Sequence, residues 1–220
     1  MKKMIAAGVV SAFALMAGMM SAQAADAVGL GAGDILVHVR ALGAFPDVSG
    51  HDDLFEGKGK ISNSYVPEVD ASYFLTDHIA AEIIAGTTHH QVRDDKAAGA
   101  LGVGALGSVW LLPPTLTAQY HILAHNAIDP YVGAGLNYSI FYGSKSKAGP
   151  GTSIDYKNNV GYALQTGVNY QVSKSVFVNL DVKKIFVKTT ASVKAGGATI
   201  DTARVNVDPL LVGIGIGFRF

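Results

Sequence analysis

From Leu210 to Phe220 every second residue is large and apolar: Leu210, Val212, Ile214, Ile216, Phe218 and Phe220. Between them stand Leu211, Gly213, Gly215, Gly217 and Arg219. Strict alternation predicts a β-strand, and the glycines would be poor choices inside a helix. A strand with one apolar face, one face of small residues and a terminal aromatic residue predicts the closing strand of a transmembrane barrel, with its large residues toward lipid and its small face inward. A lipocalin-like soluble barrel would invert the pattern and enclose the large residues.

The same alternation recurs upstream. Residues 35–45 set Ile35, Val37, Val39 and Ala41 against Leu36, His38, Arg40 and Leu42. Further strands are predicted over 66–75, 79–90, 115–122, 131–142, 160–172 and 176–187, which with the closing strand makes eight. The expected fold class is therefore all-β, an eight-stranded antiparallel transmembrane β-barrel. An even strand number lets the sheet close on itself, so that no backbone polar group in lipid lacks a partner. Connections alternate between short (76–78, 124–129, 173–175) and long (46–65, 91–112, 143–159, 188–203). That is the outer-membrane pattern of short periplasmic turns and longer extracellular loops, with both chain ends in the periplasm. Tyr73, Tyr120, Tyr170 and Phe218 mark a periplasmic aromatic girdle, and Tyr138, Tyr142 and Tyr162 an outer one. Lys184 falls in the lipid-facing phase, which requires a bulge or a position already at headgroup level. Val205 and Val207 are out of phase with Leu210, so a bend is expected at Pro209.

Ahead of this pattern, Lys2 and Lys3, an apolar run and Ala22-Gln23-Ala24 predict a secretory signal peptide over residues 1–24. One outer-membrane barrel domain is then expected over residues 25–220. Charge is balanced, with 17 basic and 17 acidic residues, so no basic footprint for nucleic acid exists. There is no Cys, which excludes disulfides and thiolate chemistry.

Enzyme signatures are weak. Gly102, Gly104 and Gly107 match a dinucleotide-binding pattern by letter, but no βαβ unit surrounds them. His89 and His90 are adjacent, point to opposite faces of a strand, and cannot chelate together. No nucleophile elbow or protease triad is present. No metal, cofactor or catalysis is expected. The inward-facing charges are more informative: Arg40, Lys183 and Arg219 share the interior with Glu68, Asp70, Glu82 and Asp181. An eight-stranded barrel has room only for side chains or one small ligand, so these predict a paired polar plug. Above it, Leu42, Phe45, Trp110, Leu112 and Phe141 are expected to line an apolar funnel. Pro67, Pro113, Pro114 and Pro209 lack the amide donor for a ladder bond and are candidates to flank a lateral gap in the wall.

The stretches Leu112-Pro-Pro-Thr-Leu-Thr-Ala-Gln-Tyr120, Pro130-Tyr-Val-Gly-Ala-Gly-Leu-Asn-Tyr138 and Val207-Asp-Pro209 through Gly217-Phe-Arg-Phe220 resemble the OmpW family of outer-membrane proteins. The resemblance covers essentially all of the chain after the signal segment. It implies a barrel in outer-membrane lipid whose hydrophobic channel takes up small hydrophobic molecules, as in the related alkane-uptake proteins. It also implies that Phe220 is read by the outer-membrane assembly machinery. Where the family carries a channel Trp near the start of the sixth strand, this chain has Val160, and the resemblance implies that Leu54 or Phe55 supplies a family-like apolar constriction of the channel. Two functions follow: passive uptake with release sideways into the membrane, or a non-transporting surface barrel that acts through its loops as an adhesin, stress factor, or phage or bacteriocin receptor.

Overall fold

A computed structural model describes residues 29–51, 60–93, 106–147 and 149–220; the signal segment, Leu54 and Phe55 lie outside the described residues. The first strands in chain order are β1 (Ile35–Phe45), β2 (Ser49–His51), β3 (Lys60–Ile61), β4 (Ser64–Phe74) and β5 (Ile79–Gly86). Next come β6 (Thr88–Arg93), β7 (Gly107–Leu112), β8 (Thr115–His121), β9 (Ile128–Ser146) and β10 (Thr152–Tyr156). The last are β11 (Asn159–Gln171), β12 (Val176–Phe186), β13 (Lys188–Ala195), β14 (Ala198–Asn206) and β15 (Leu210–Arg219). Eight of these form a ring in the order β11-β12-β15-β1-β4-β5-β8-β9, closed by pairing of β9 with β11. Every pair in the ring is antiparallel. Residues read as long loops partly continue the wall instead. Strands β7, β6 and β3 prolong it above β9, and β10-β13-β14-β2 make a separate four-stranded sheet.

Period-two alternation sorts each strand. On β9, Leu136 is 65% exposed while the next residue, Asn137, is fully buried. On β15, Ile214 and Ile216 face out, and Gly213 and Gly217 are buried. An outward apolar belt over a polar interior is the arrangement lipid requires. Lys184 keeps the outward phase without a bulge: it pairs with Leu164 and Leu210, and its Nζ donates to the Asp208 carbonyl. The bend before β15 lies at Asp208, whose φ is +27°, a region Asp tolerates better than most side chains. Asp208 Oδ1 accepts from the Val187 amide at 3.0 Å, which holds that corner.

The wall leaves little room between strands. A Cβ on Gly135 would lie 2.0 Å from the Leu116 carbonyl oxygen. Two substitutions therefore probe different terms. Leu136→Arg should destabilise the folded barrel by about 2–4 kcal/mol in urea titrations in vesicles, because it sets a charge in hydrocarbon. Gly135→Ala should destabilise it through backbone displacement, and lipid thickness should change the first cost but leave the second alone.

Candidate functional site

The interior is built around Arg40, which is 1% exposed. Its Nε donates to Asn179 Oδ1 at 2.6 Å, Nη1 donates to Asp70 and to Glu68 Oε1 at 3.2 Å, and Nη2 reaches Glu82 Oε1 at 3.5 Å. Lys183 Nζ lies 2.8 Å from both Glu68 Oε1 and Asp181 Oδ1. Asp181 Oδ2 in turn accepts from the Tyr131 hydroxyl and the Gln165 amide, each at 2.7 Å. His38 Nδ1 sits 2.7 Å from Asp70 Oδ1. Charges enclosed this deeply persist only when paired and hydrogen-bonded.

The inward ligand atoms of His38, Asp70 and Glu82 lie within 4.8 Å of one another, a spacing a metal ion could use. The Arg40 guanidinium already stands among them, bonded to both carboxylates. We therefore assign these three side chains to the ion-pair network.

Glycines make the space for this network. A Cβ on Gly215 would lie 2.8 Å from Arg40 Cγ, one on Gly217 2.6 Å from His38 Cδ2, and one on Gly167 2.4 Å from the Tyr131 ring. The small face of β15 is thus a sleeve for side chains of β1.

Beneath the plug the chain seals its own end. Leu30 is buried with Leu36, Phe74, Ala80 and Phe177. The Leu30 amide bonds the Ala124 carbonyl at 2.6 Å, and Gly29 N donates to Gln171 Oε1 at 2.9 Å. Gly29 has φ +71°, and a Cβ there would meet His125 Cα at 2.4 Å, so glycine alone fits. Outside this seal, the Ala32 amide, ahead of the His125 ring, holds the exposed Asp77 carboxyl below the usual carboxylate range.

Above the plug lies an apolar lumen lined by Leu42, Ile84, Leu111, Ile185, Val187 and Leu211, with Glu68 and Lys183 at its lower end. Only about 30 Å³ of it is free. Beside this lumen the wall loses ladder bonds. The β4–β5 ladder ends at Glu68–Gly86, and pairing on that seam resumes at Ser62, whose amide donates to the Gln91 carbonyl at 3.0 Å. The β5–β8 ladder ends at Ile84–Thr115, and β6–β7 resumes at Thr88–Leu111. Pro67 stands at the first break and Pro113-Pro114 at the second. On the far side of Pro113-Pro114 the wall stays shut: the Tyr138 amide donates to the Pro114 carbonyl at 3.0 Å, and Asn137 Nδ2 to the Pro113 carbonyl at 3.1 Å.

Comparison with known proteins agrees with this architecture. The model of the OmpW family matches residues 31–220. The chain belongs to the OmpW family. Among its relatives, an outer-membrane protein of Sinorhizobium fredii, y4mB, is 43% identical over 200 residues, covering 90% of this chain and 85% of that protein. Outer membrane protein W of Escherichia coli is 32% identical over 170 residues, covering 74% and 77% of the two chains. The crystal structure of OprG from Pseudomonas aeruginosa superposes with a TM-score of 0.79 at 26% identity, covering 89% of this chain and 99% of that one. The protein resides in the outer membrane of a Gram-negative bacterium.

Within this OmpW barrel the residues singled out from sequence divide. Arg40, Glu68, Asp70, Glu82, Asp181 and Lys183 converge in one buried network. Arg219 does not join them; its Nη1 donates to the Gly29 carbonyl at 2.5 Å and lies 3.8 Å from Asp34, so it clamps the periplasmic seal. Of the funnel residues, Leu42 lines the lumen. Phe45, Trp110 and Leu112 take the outward phase instead. Phe45 packs edge-on against the exposed Tyr65, and Trp110 stacks between His89 and Tyr142 on the outer surface. Leu112 shares the phase of Trp110, since the odd-numbered Val109 and Leu111 are the buried residues of β7. Phe141 has the inward phase but lies higher, stacked on Tyr156. Pro209 flanks no gap: its carbonyl accepts from Ile185 at 3.1 Å, and Val207 is bonded to both Val187 and Asp47. Val160 is 60% exposed and faces outward, away from the lumen. Sequence reasoning passed over Leu111, Ile185, Val187 and Tyr131. Parity could have found Leu111, by counting in steps of two back from the inward Thr115.

Replacing Arg40 with methionine tests the plug. Removing the central cation strands buried carboxylates, a change that costs about 3–5 kcal/mol in comparable sites. Urea titration of the refolded barrel should show that loss at neutral pH, and it should shrink in acid as the stranded carboxyls take up protons.

Proposed function

We propose that this barrel admits small hydrophobic molecules from the cell exterior into the upper lumen and releases them sideways through the wall. The observation that carries this reading is a coincidence of place. Glu68, Gly86, Thr88, Leu111, Pro113 and Thr115 line the apolar lumen and also border the two breaks in the ladder. A solute that leaves water for the lumen gains about 2.5 kcal/mol per 100 Å² of apolar surface buried. Travelling on toward the periplasm would require parting ion pairs that cost several kcal/mol each and then displacing Leu30. Sideways passage requires separating strands where amide donors are already missing. The free lumen holds roughly two waters, so passage needs the wall to move, and it moves most cheaply at those breaks.

Reconstitution in vesicles tests uptake. Octane should enter well above the protein-free rate, and a charged solute of the same length should not; equal and negligible uptake of both would favour action through the loops. Lateral release is tested by two engineered disulfides at the positions the ladders would next align, Pro67→Cys with Thr87→Cys and Ala85→Cys with Pro114→Cys. Oxidation should cut apolar uptake severalfold and reduction should restore it. Undiminished uptake with both crosslinks formed would rule lateral release out.

We also assign Phe220 to recognition by the assembly machinery. Its side chain is 76% exposed while its backbone bonds Ile35 in both directions, so the side chain remains free for a partner. Deleting Phe220 should lower the amount of heat-modifiable barrel in the outer membrane and leave export to the periplasm intact.

A further inference from the structure

The lower end of the lumen is not apolar, and its polar atoms are unevenly used. Two of the strands that line the space contribute a charged residue, Lys183 below Ile185 and Val187 on β12, and Glu68 on β4. Glu68 is 3% exposed, and its Oε1 takes both cationic contacts, from Arg40 at 3.2 Å and Lys183 at 2.8 Å. Among the described residues its Oε2 has no hydrogen-bond partner, it is not one of the fully enclosed orphan atoms, and Glu68 lines the lumen. Lys183 has three N–H donors; Glu68 Oε1 accepts one, and Asp181 Oδ1 pairs with the ammonium at 2.8 Å without a hydrogen bond. Other polar side chains on the wall are already engaged. Thr115 donates to the Pro113 carbonyl, Ser139 donates to Asn137 Oδ1, and His90 and Thr88 bond each other.

We infer that this floor is a head-group site, and that the molecules the lumen accepts best are neutral amphiphiles bearing a hydroxyl group. The inference rests on the uptake reading above and adds the substrate's polar end to it. A hydroxyl can donate to Glu68 Oε2 and accept a remaining Lys183 N–H at once. An alkane leaves both unanswered. A carboxylate meets a network in which the four carboxylates Glu68, Asp70, Glu82 and Asp181 face two cations, Arg40 and Lys183. With about 30 Å³ free in the whole lumen, the head and the apolar body between Leu42, Ile84, Leu111 and Ile185 are accommodated only as those side chains and the wall give way.

The test uses the full-length barrel in lipid nanodiscs with methyl-labelled Ile and Leu, titrated with decane, 1-decanol and decanoate, each as a mole fraction of lipid. NMR shifts of the Ile84, Leu111 and Ile185 methyls report lumen occupancy. 1-Decanol should half-saturate at a mole fraction about tenfold lower than decane, the effect of one net hydrogen bond to a charged group, with decanoate weaker than 1-decanol. In Glu68→Leu/Lys183→Met, which removes the pair together, 1-decanol should fall back to the level of decane while decane itself is retained. If that variant fails to give a heat-modifiable barrel, the three ligands on the native protein decide alone. Equal half-saturation by decane and 1-decanol would overturn the head-group site and leave the uptake reading standing. Methyls unmoved by all three ligands would overturn both.

Discussion

A guanidinium with no exposed surface sets the terms for everything around it. Arg40 is held by Asn179, Glu68, Asp70 and Glu82, which come from three strands besides its own. Buried this deeply, a group without its partner is costly, so the four depend on one another for their places. The glycines of β15 follow from the same requirement. They bring the wall close to the bulk of Arg40 and His38, and any larger residue there would push the ring apart.

That packing gives the barrel two unlike halves. From Leu30 up to Lys183 the interior is filled twice over, first by an apolar seal and then by a charged network. Above Lys183 the lumen is greasy, and the wall beside it is incomplete where prolines interrupt pairing. A tube closed at one end and weakly stitched at its upper side is a poor conduit for ions and a reasonable antechamber for apolar molecules. The same division explains why the polar floor matters chemically. Among the described residues lining the lumen, charge stands there alone, on Glu68 and Lys183.

The ring was legible in the sequence because lipid enforces a strict two-residue period. Leu136 beside Asn137, or Ile214 beside Gly215, can be assigned by counting. The plug was legible for the same reason: Arg40, Asp70 and Lys183 carry charge in an inward phase, and charge in such a place has to be paired. The funnel was read less well. Phe45, Trp110 and Leu112 were placed there for being apolar and near the outer end, yet their parity points outward, where they serve the aromatic rim. Strand extensions such as β13 and β14 alternate weakly because both their faces meet water, so hydropathy could not reveal them. Arg219 was misjudged because its partner, the Gly29 carbonyl, is a backbone atom in a segment with no periodicity.

The plug has a consequence for how the barrel is made. Glu68 and Lys183 stand 115 residues apart and are brought together across the lumen, and Arg40 and Asn179 stand 139 apart. The strands that carry them, β1 and β4 on one side and β12 on the other, are joined through β15, the last strand of the ring in chain order. Until that strand seats itself between them, the charges remain hydrated and the curling sheet has little reason to prefer its final register. Once it does, lost hydration and gained pairing come in a single event, so a half-closed ring has no stable resting point. The wall and its contents are thereby bound into one another.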